Sequence, residues 1–397
     1  GMVALGPVLG GWLATDFGKD GWRLAFNINL PLGVLVIIGL LIWATESKQD
    51  HREGGLDIVG ALISVVMFST LVFGLIEGRV YGWWNASSAH PFEIGGFKWP
   101  TDGISIIPVS LVISVVFFVL FVLWEKSREK AHKNVLLDLD LFKISSFRNG
   151  SFAALIISMG EFGLLFAIPL WLQNVLGLSP IDAGLVLLFL AGGSFMASGV
   201  AGGLSGKVPA ATVVRIGVAL ELVAVATVAL FANVEIGWVS VAPSLFVYGL
   251  GIGMATAQLT GVIMVDVPMD KIGQASGSQS TVRQIGSALG IAVLGTTLFT
   301  FSQSAIESRI ENLEMFKNAP ASDVAVVAKS LGGSVVDSAG GIIPSIHVIL
   351  EKQQMSKDHA QVIQDAAAAG FTDGVKATGW AAAGFLFLGF LATFNLG

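Results

Sequence analysis

The chain begins with residues 1–23, GMVALGPVLGGWLATDFGKDGWR, whose first fifteen residues are uncharged and mostly apolar and contain a Gly-Pro-x-x-Gly-Gly sequence. A secretory signal peptide would carry basic residues before its apolar stretch and would not place a Gly-Pro pair inside it. Glycines on successive turns are typical of a membrane helix that packs closely against a neighbour, and a proline bends such a helix. The stretch therefore predicts a membrane helix, and its abrupt start indicates a fragment of a longer protein.

The composition of the whole chain favours a polytopic membrane protein. Apolar residues make up 54% of the chain and charged residues only 13%, about half the usual share of a soluble domain. Because the sequence has no cysteine, it excludes disulfides, thiolate metal sites and thiol catalysis. The five histidines lie in loops without metal-ligand spacing, and the sequence has no Gly-Lys-Ser phosphate loop. We therefore expect no enzyme activity, no metal and no cofactor.

Ten apolar runs approach or exceed the roughly 20 residues that a helix needs to cross a bilayer. They are residues 1–15, 24–45, 58–76, 104–124, 149–181, 183–206, 216–234, 236–265, 284–306 and 377–397. The connecting loops rich in lysine and arginine are 44–57, 125–148, 207–215 and 266–283. They hold 12 of these basic residues, whereas the alternate short loops hold four. Basic loops mark the cytoplasmic side, so the first run is predicted to end outside.

Three longer stretches lie between the predicted spans. Residues 78–103 are predicted to form an external loop with interfacial tryptophans. Residues 125–148 combine a basic start with the amphipathic sequence LLDLDLFK and are expected to lie on the inner membrane surface. Residues 307–376 are predicted to form an external surface hairpin of mixed charge, helical at SAIESRIENLEMF and KDHAQVIQDAAAA.

Four motifs, in order along the chain, carry a resemblance to a known family. They are GPVLGG with Gly6, Pro7, Gly10 and Gly11, WRLAFNINLPLG (22–33), PLWLQNVLGLSPIDAG (169–184) and GQASGSQSTVRQIGSALGIAVLGT (273–296). They resemble the major facilitator superfamily and, within it, the fourteen-helix drug:proton antiporters. In that family the first is the antiporter motif of helix five, and the others begin helix six, form the hairpin of helices nine and ten, and begin helix thirteen.

The resemblance implies an all-α, polytopic major facilitator fold, with about ten of fourteen helices in this chain and four missing upstream. It assigns residues 1–45 to helices five and six of the amino-terminal lobe. Residues 46–148 would be two linking helices with a cytoplasmic amphipathic loop. Residues 149–397 would form the carboxy-terminal lobe with the external loop 307–376.

The function that the resemblance implies is proton-coupled export of lipophilic or cationic drugs across the bacterial inner membrane by alternating access. The expected partners are a small-molecule substrate, protons and the lipid bilayer, with no nucleic acid, and the protein is expected to be a monomer. Two alternatives stay open because a fold does not fix a function. One is a substrate-specific exporter or importer on the same fold, and the other is a non-transporting membrane sensor or assembly partner.

One loop departs from the family pattern. In GGLSGKVPAATVVR (202–215), Gly206 stands where the family carries an acidic residue, and Pro209 stands where it carries a glycine. Lys207 and Arg215 keep the positive charge and are the residues expected at a gate. The missing acid argues against a charge relay at this loop.

Two acidic residues lie in the middle of predicted spans, Glu161 in SMGEFGLLFAIPLW and Glu221 in GVALELVAV. A charged carboxylate at that depth costs at least about 2.5 kcal/mol, so such residues are functional by default. A carboxyl that binds and releases a proton inside a cavity is what a proton-coupled exporter requires. The alternative for both is a neutral, hydrogen-bonded packing role. Arg283, at the cytoplasmic end of its span, is expected either in an ion pair or gate or as a snorkelling anchor.

Aromatic and amide side chains complete the predicted site. Phe162, Phe166 and Trp171 follow the first of the two acids on the same helix and are expected to form the wall of an aromatic-rich cavity. For this reason that acid is the preferred proton or substrate residue. Gln173 and Gln258, within or near spans, are expected to line the transport pathway.

Overall fold

The computed structural model describes residues 2–16, 20–44, 57–88, 90–131, 133–204 and 206–396. These residues are predominantly helical, as expected for a chain in lipid, where each backbone N–H and C=O group must find its partner within the protein. The basic loop predicted at 44–57 lies outside the described residues except at its two ends.

The described ranges contain thirteen α-helices and one short β-hairpin. The helices are α1 (Met2–Asp16), α2 (Gly21–Asn27), α3 (Asn29–Trp43), α4 (Ile58–Tyr81), α5 (Ile106–Lys130), α6 (Ser145–Leu170), α7 (Pro180–Leu204), α8 (Ala210–Phe231), α9 (Ala242–Met264), α10 (Ile272–Glu311), α11 (Ala321–Asp337), α12 (Ile346–Lys352) and α13 (Lys357–Ala392). The hairpin strands are β1 (Glu93–Ile94) and β2 (Phe97–Lys98). Gly95 and Gly96 join them with φ angles of 54° and 85°, which suit a two-residue hairpin turn.

Nine of the ten predicted runs are confirmed as helices that are long and apolar enough to span a bilayer. Within the described ranges these are Gly21–Trp43, Ile58–Gly78, Ile106–Lys130, Ser145–Val175, Pro180–Leu204, Ala210–Phe231, Ala242–Met264, Met269–Glu311 and Lys357–Asn395. The first run also forms a helix, but the 15 residues of α1 fall short of the roughly 20 that a spanning helix requires.

The segment 307–376 is more helical than the sequence indicated. α10 has 40 residues and α13 has 36, so both extend well beyond the apolar stretches from which they were predicted. The sequence SAIESRIE continues α10, and KDHAQVIQDAAAA begins α13, because neither contains a glycine or proline that would end a helix. Between them lies α11, which was not predicted and which buries Val324, Ala328 and Val335 on one face.

The amphipathic sequence LLDLDLFK ends in a short 3₁₀ helix. α5 continues to Lys130, and Leu139–Lys143 then forms a 3₁₀ helix before α6 begins. Leu141 in this turn is fully buried. The position of the stretch on the inner membrane surface stays a prediction.

The chain divides into two compact units. The first comprises residues 1–47, 163–258 and 294–390, and the second comprises 48–162, 259–293 and 391–397. In the first unit, α7 and α9 meet at Gly193 and Gly249, where a Cβ atom would collide with the carbonyl oxygens of Phe246 and Leu190. The lobe boundaries that the resemblance implies stay a prediction.

In the second unit, α4 and α5 are joined by hydrogen bonds inside their apolar spans. The Ser110 hydroxyl donates to the carbonyl oxygen of Thr70 at 2.6 Å, and Ser114 donates to that of Met67 at 2.9 Å. Such bonds help to hold membrane helices together, because lipid supplies no hydrophobic force between them.

The second unit also contains a close contact between α6 and α10. A Cβ atom at Gly286 would collide with the carbonyl oxygen of Leu155, and one at Gly290 would collide with that of Met159. The two backbones therefore touch, as in other small-residue helix contacts of membrane proteins.

The glycine contact can be tested with a pair of substitutions on one helix. We expect Gly290→Ala to lower the free energy of unfolding by about 1–3 kcal/mol, because the added methyl group must push α10 away from α6. Gly277→Ala is the control, since a Cβ atom there has no neighbour within 4 Å. It should leave stability unchanged or raise it by up to about 1 kcal/mol, because alanine favours helix. Thermal unfolding in detergent micelles measures both, and equal effects would contradict the close contact.

The predicted orientation can be tested because the chain has no cysteine of its own. Ser127 and Ser308 are both exposed, and the sequence places them on opposite sides of the membrane. We expect Ser127→Cys to react with a membrane-impermeant maleimide only from the cytoplasmic side and Ser308→Cys only from outside. Reaction of both cysteines from one side would show that the orientation is wrong.

Candidate functional site

The structure brings together two of the predicted site residues, Glu161 on α6 and Arg283 on α10. The Glu161 side chain is 5% exposed, and its Oε2 atom lies 3.9 Å from Nη2 of Arg283. The Arg283 side chain is 30% exposed. The sequence pointed to each residue separately but could not pair them, because they are more than 100 positions apart in the chain.

The glycine contact between α6 and α10 sets the geometry of this pair. Arg283 comes three residues before Gly286, and residues so spaced share one face of a helix. Glu161 lies two residues after Met159, whose carbonyl oxygen faces Gly290. The ion pair therefore joins the same two helices that touch at these glycines.

The pair combines a nearly enclosed carboxylate with a partly accessible guanidinium. Taking two such charges out of water is costly, and their attraction offsets that cost only when the geometry is good. A proton on the carboxyl of Glu161 abolishes its negative charge and thereby its attraction for Arg283. The arrangement can therefore exist in two states, one with the ion pair and one with a neutral acid beside a released arginine.

Glu221 lies at a different kind of position, in the first unit. It is fully buried on α8 and packs against Gly251 of α9, where a Cβ atom would lie 2.5 Å from Cγ of Glu221. The same Cβ atom would lie 2.6 Å from the carbonyl oxygen of Gly217. The missing side chain at Gly251 thus makes room for this acid within a tight contact between α8 and α9.

The aromatic residues predicted to form a cavity wall differ in their surroundings. Trp171 is fully buried in the π-helical turn Trp171–Val175, and its indole N–H donates to the hydroxyl of Thr372 at 2.9 Å. Phe166 packs edge to face with Phe299, with 6.3 Å between the ring centroids. Phe162 is 37% exposed. Trp171 thus has a packing role between α6 and α13, and a role of the three residues in transport stays a prediction.

The two predicted amides form hydrogen bonds to backbone carbonyl groups. The side chain of Gln173 donates to Pro169 at 3.3 Å within its own helical turn. That of Gln258 on α9 donates to Ala201 on α7 at 3.1 Å. Gln258 therefore links two helices, and its place in a transport pathway stays a prediction.

The backbone conformation explains why the loop that departs from the family pattern carries a glycine. Gly206 has a φ angle of 81°, a conformation that glycine adopts without steric cost and that an acidic residue adopts with strain. Lys207 is exposed and Arg215 is half-buried. Their role at a gate stays a prediction.

The glycine-rich motif near the start of the chain lies in α1, which is a continuous helix through Pro7. A Cβ atom at Gly11 would meet the carbonyl oxygen of Pro180, so α1 touches the start of α7 at this glycine. Gly6 and Gly10 have no neighbour within 4 Å on their Cβ side. One glycine of the motif therefore makes a helix contact within the described residues, and the other two face open space.

Sequence reasoning missed a cluster of polar residues in the second unit. Asp57 caps α4 by accepting from the backbone N–H of Gly60 at 2.9 Å, and it also accepts from Nε1 of Trp124 at 3.0 Å. Nε of Arg128 lies 3.3 Å from Oδ2 of the same carboxylate. Burial alone would raise the pKa of Asp57, but these hydrogen bonds and the arginine charge outweigh it and lower the pKa. Nothing in the sequence indicated the partners of Asp57 on α5.

A comparison with family models supplies the decisive observation. The model described as Major Facilitator Superfamily matches residues 1–291, well over half of the chain. The chain belongs to the major facilitator superfamily. The expected fold is thereby confirmed, and the protein is a multi-pass protein of the plasma (inner) membrane. Membership also places the chain in a family of transporters.

The major facilitator relatives include proteins named for drug resistance and export. The Multidrug resistance protein Stp of Mycobacterium tuberculosis is 29% identical over 349 residues, which is 86% of this chain and 58% of that protein. The Probable actinorhodin transporter of Streptomyces coelicolor is 30% identical over 318 residues, 78% of this chain and 51% of that protein. The chain therefore spans between 51% and 58% of the length of these two relatives.

One solved transporter structure is also similar to the chain. It is a bacterial homologue of the human lysosomal transporter Spinster in an inward-facing, unoccupied conformation. The identity is 16% and the TM-score is 0.41, with coverage of 85% of this chain and 66% of the other.

The pairing of Glu161 with Arg283 can be measured by a double-mutant cycle. We expect Arg283→Gln to destabilise the protein more when Glu161 is present than in the Glu161→Gln background, because loss of the arginine leaves a buried acid without its counter-charge. The coupling should lie between about 0.5 and 3 kcal/mol. Thermal unfolding of the four proteins in detergent gives the value. A coupling indistinguishable from zero would contradict the ion pair.

Proposed function

We propose that the whole gene product exports lipophilic or cationic small molecules across the bacterial inner membrane in exchange for protons. The observation that carries this proposal is the buried carboxyl of Glu161 within reach of Arg283, on two helices that are long and apolar enough to span the bilayer. The name of the relative Stp, a multidrug resistance protein, supports a broad range of substrates. Transport would follow alternating access, with two lobes rocking about a central site.

The proposed coupling rests on competition for one carboxylate. In the ionised state Glu161 attracts Arg283, and either a proton or a cationic substrate can take the place of the guanidinium. Since the two competitors exclude one another, binding of a proton on one side would release substrate on that side. The proton gradient supplies the energy, about 2.3 kcal/mol for each elementary charge moved through 100 mV.

The remaining predicted residues have subsidiary places in this proposal. Glu221 is the second acid that could carry a proton, and Gln173 and Gln258 would contribute polar groups along the pathway. The partners are the small-molecule substrate, protons and the lipid bilayer, and the protein acts as a monomer. The proposal is for transport without a chemical reaction and without nucleic acid.

A second candidate function is export of a single compound. It is favoured by the name of the actinorhodin transporter, a relative that is named for one substrate. The two proposals differ in the number of compounds that the protein moves. A panel of cationic, neutral and anionic lipophilic dyes distinguishes them, because a multidrug exporter moves several dyes and a specific exporter moves one or none. A non-transporting sensor would move none of the dyes.

The test of proton coupling uses ethidium as the probe in proteoliposomes that contain the whole gene product and an imposed pH gradient. We expect Glu161→Gln to reduce ethidium transport about tenfold or more, because the glutamine cannot link proton binding to substrate release. The pH dependence of ethidium binding should become flat, because the glutamine cannot take up a proton. Arg283→Gln should alter the same pH dependence.

Glu221→Gln is the matched control, since it removes the other buried mid-span acid by the same change of atoms. It should reduce transport less than Glu161→Gln and leave the pH dependence of binding in place. Unchanged transport and an unchanged pH profile in Glu161→Gln would overturn the proposed role of Glu161. If only Glu221→Gln flattened the pH dependence of ethidium binding, Glu221 in the first unit would be the residue that carries the proton.

A further inference from the structure

A cavity of about 740 Å³ lies in the second unit between α4, α5 and the first half of α10. Its volume falls within the range of roughly 300–1,000 Å³ that is typical of small-molecule sites. Neither Glu161 nor Arg283 lines it, so it is separate from the ion pair. The part of the chain between α5 and α6 also contributes to its wall, through Leu136, Leu137 and Phe142.

α10 carries two pairs of glycines on different faces, and one pair lines the cavity. The backbone of α6 occupies the space beside Gly286 and Gly290. A Cβ atom at Gly273 or Gly277, by contrast, would have no neighbour within 4 Å. Gly277 and Gly286 are nine residues apart and therefore point in roughly opposite directions on a helix. The first pair of glycines thus leaves the backbone of α10 open to the cavity.

The wall of the cavity is apolar and rich in aromatic rings. Phe68, Phe118, Phe121 and Phe142 line it together with Met67, and no residue of the lining is charged. Aromatic rings and a methionine sulfur favour contact with a flat aromatic ligand. A charged ligand would lose its hydration there without gaining a counter-ion.

The polar groups of the wall are already used within the protein. The hydroxyl of Thr281 donates to Gly277, and that of Ser278 donates to Gln274, in both cases to a backbone carbonyl of the same helix. Ser114 donates to Met67 as described above. These hydroxyls have no second hydrogen to donate to a ligand. A complementary ligand therefore finds few free donors in the wall and gains most of its binding energy from apolar contact.

Polar contacts hold the cavity open at one end. The side chain of Gln274 on α10 donates to the carbonyl oxygen of Val135 at 3.1 Å, and Lys271 forms an ion pair with Asp138. On the α5 side, the carboxylate of Glu125 accepts from the backbone N–H of Leu136 at 3.0 Å. The segment between α5 and α6 is thus bound to α5 and to α10. The cavity is therefore present in the protein without a ligand.

We infer that this cavity is a binding site for an uncharged, lipophilic molecule that carries an aromatic ring. The molecule would lie against the open backbone of α10 at Gly273 and Gly277, between the phenylalanines of α4 and α5. This assignment does not depend on the proposed transport function, because the ion pair takes no part in it. A lipid acyl chain is the competing occupant, and it lacks the ring that the four phenylalanines favour.

The test uses a diazirine-substituted naphthalene as a photoreactive probe on the whole gene product in phosphatidylcholine nanodiscs. Mass spectrometry then locates the labelled residues. We expect labelling on α4, α5 and the first half of α10, and competition by unlabelled naphthalene. Gly277→Phe fills the cavity and should weaken binding about tenfold, which equals about 1.4 kcal/mol.

Gly261→Phe is the matched control, because Gly261 of α9 also has no neighbour within 4 Å on its Cβ side but does not line the cavity. It should leave labelling unchanged, and thermal unfolding should show that both variants are folded. Glu161→Gln should also leave labelling unchanged, which separates this site from the proposed function. A second probe, phosphatidylcholine with a diazirine in its acyl chain, tests the competing occupant. The inference is overturned if naphthalene does not displace that lipid from the cavity, or if Gly277→Phe and Gly261→Phe give equal labelling.

Discussion

The contact of α10 with α6 at Gly286 and Gly290 is the constraint on which the rest of the second unit depends. Lipid gives helices no hydrophobic reason to associate, so close backbone packing must supply much of the attraction. This contact fixes which face of α10 turns towards α6 and thereby places Arg283 beside Glu161. It also directs the opposite face of α10, with Gly277, towards the cavity.

The geometry of the ion pair between Glu161 and Arg283 is better suited to opening and closing than to stabilising the fold. Its atoms are 3.9 Å apart, beyond the 2.7–2.9 Å of a strong charge-assisted hydrogen bond. A buried pair of this kind is weak evidence for stability, because desolvation of both charges opposes their attraction. A pair with little net energy can be opened by a proton or a competing cation, whereas a tight bidentate pair would resist both.

The sequence predicted the apolar spans well, because hydropathy reports burial in lipid directly. It predicted Glu161 and Arg283 as single residues, but their pairing depends on the rotation of two helices, which no local pattern contains. Hydropathy also missed the polar ends of α10 and α13, since good helix formers continue a helix in water without being apolar. The sequence could not predict the cavity. Two glycines that pack against another helix and two glycines that face a cavity have the same sequence pattern.

The polar start of α10 connects these observations. Residues 273–284 contain glutamine, serine and threonine at most positions, so hydropathy placed the start of this span at 284 although the helix begins at Ile272. Glu161 lies 16 residues after Ser145, where α6 begins, which is about 24 Å along the helix, and its side chain is buried. Arg283 is partly exposed and follows directly on the polar stretch, whose exposed side chains, such as Ser276 and Ser280, can carry water towards it. The residues that made this part of the helix look unlike a membrane span are thus the ones that can hydrate the ion pair.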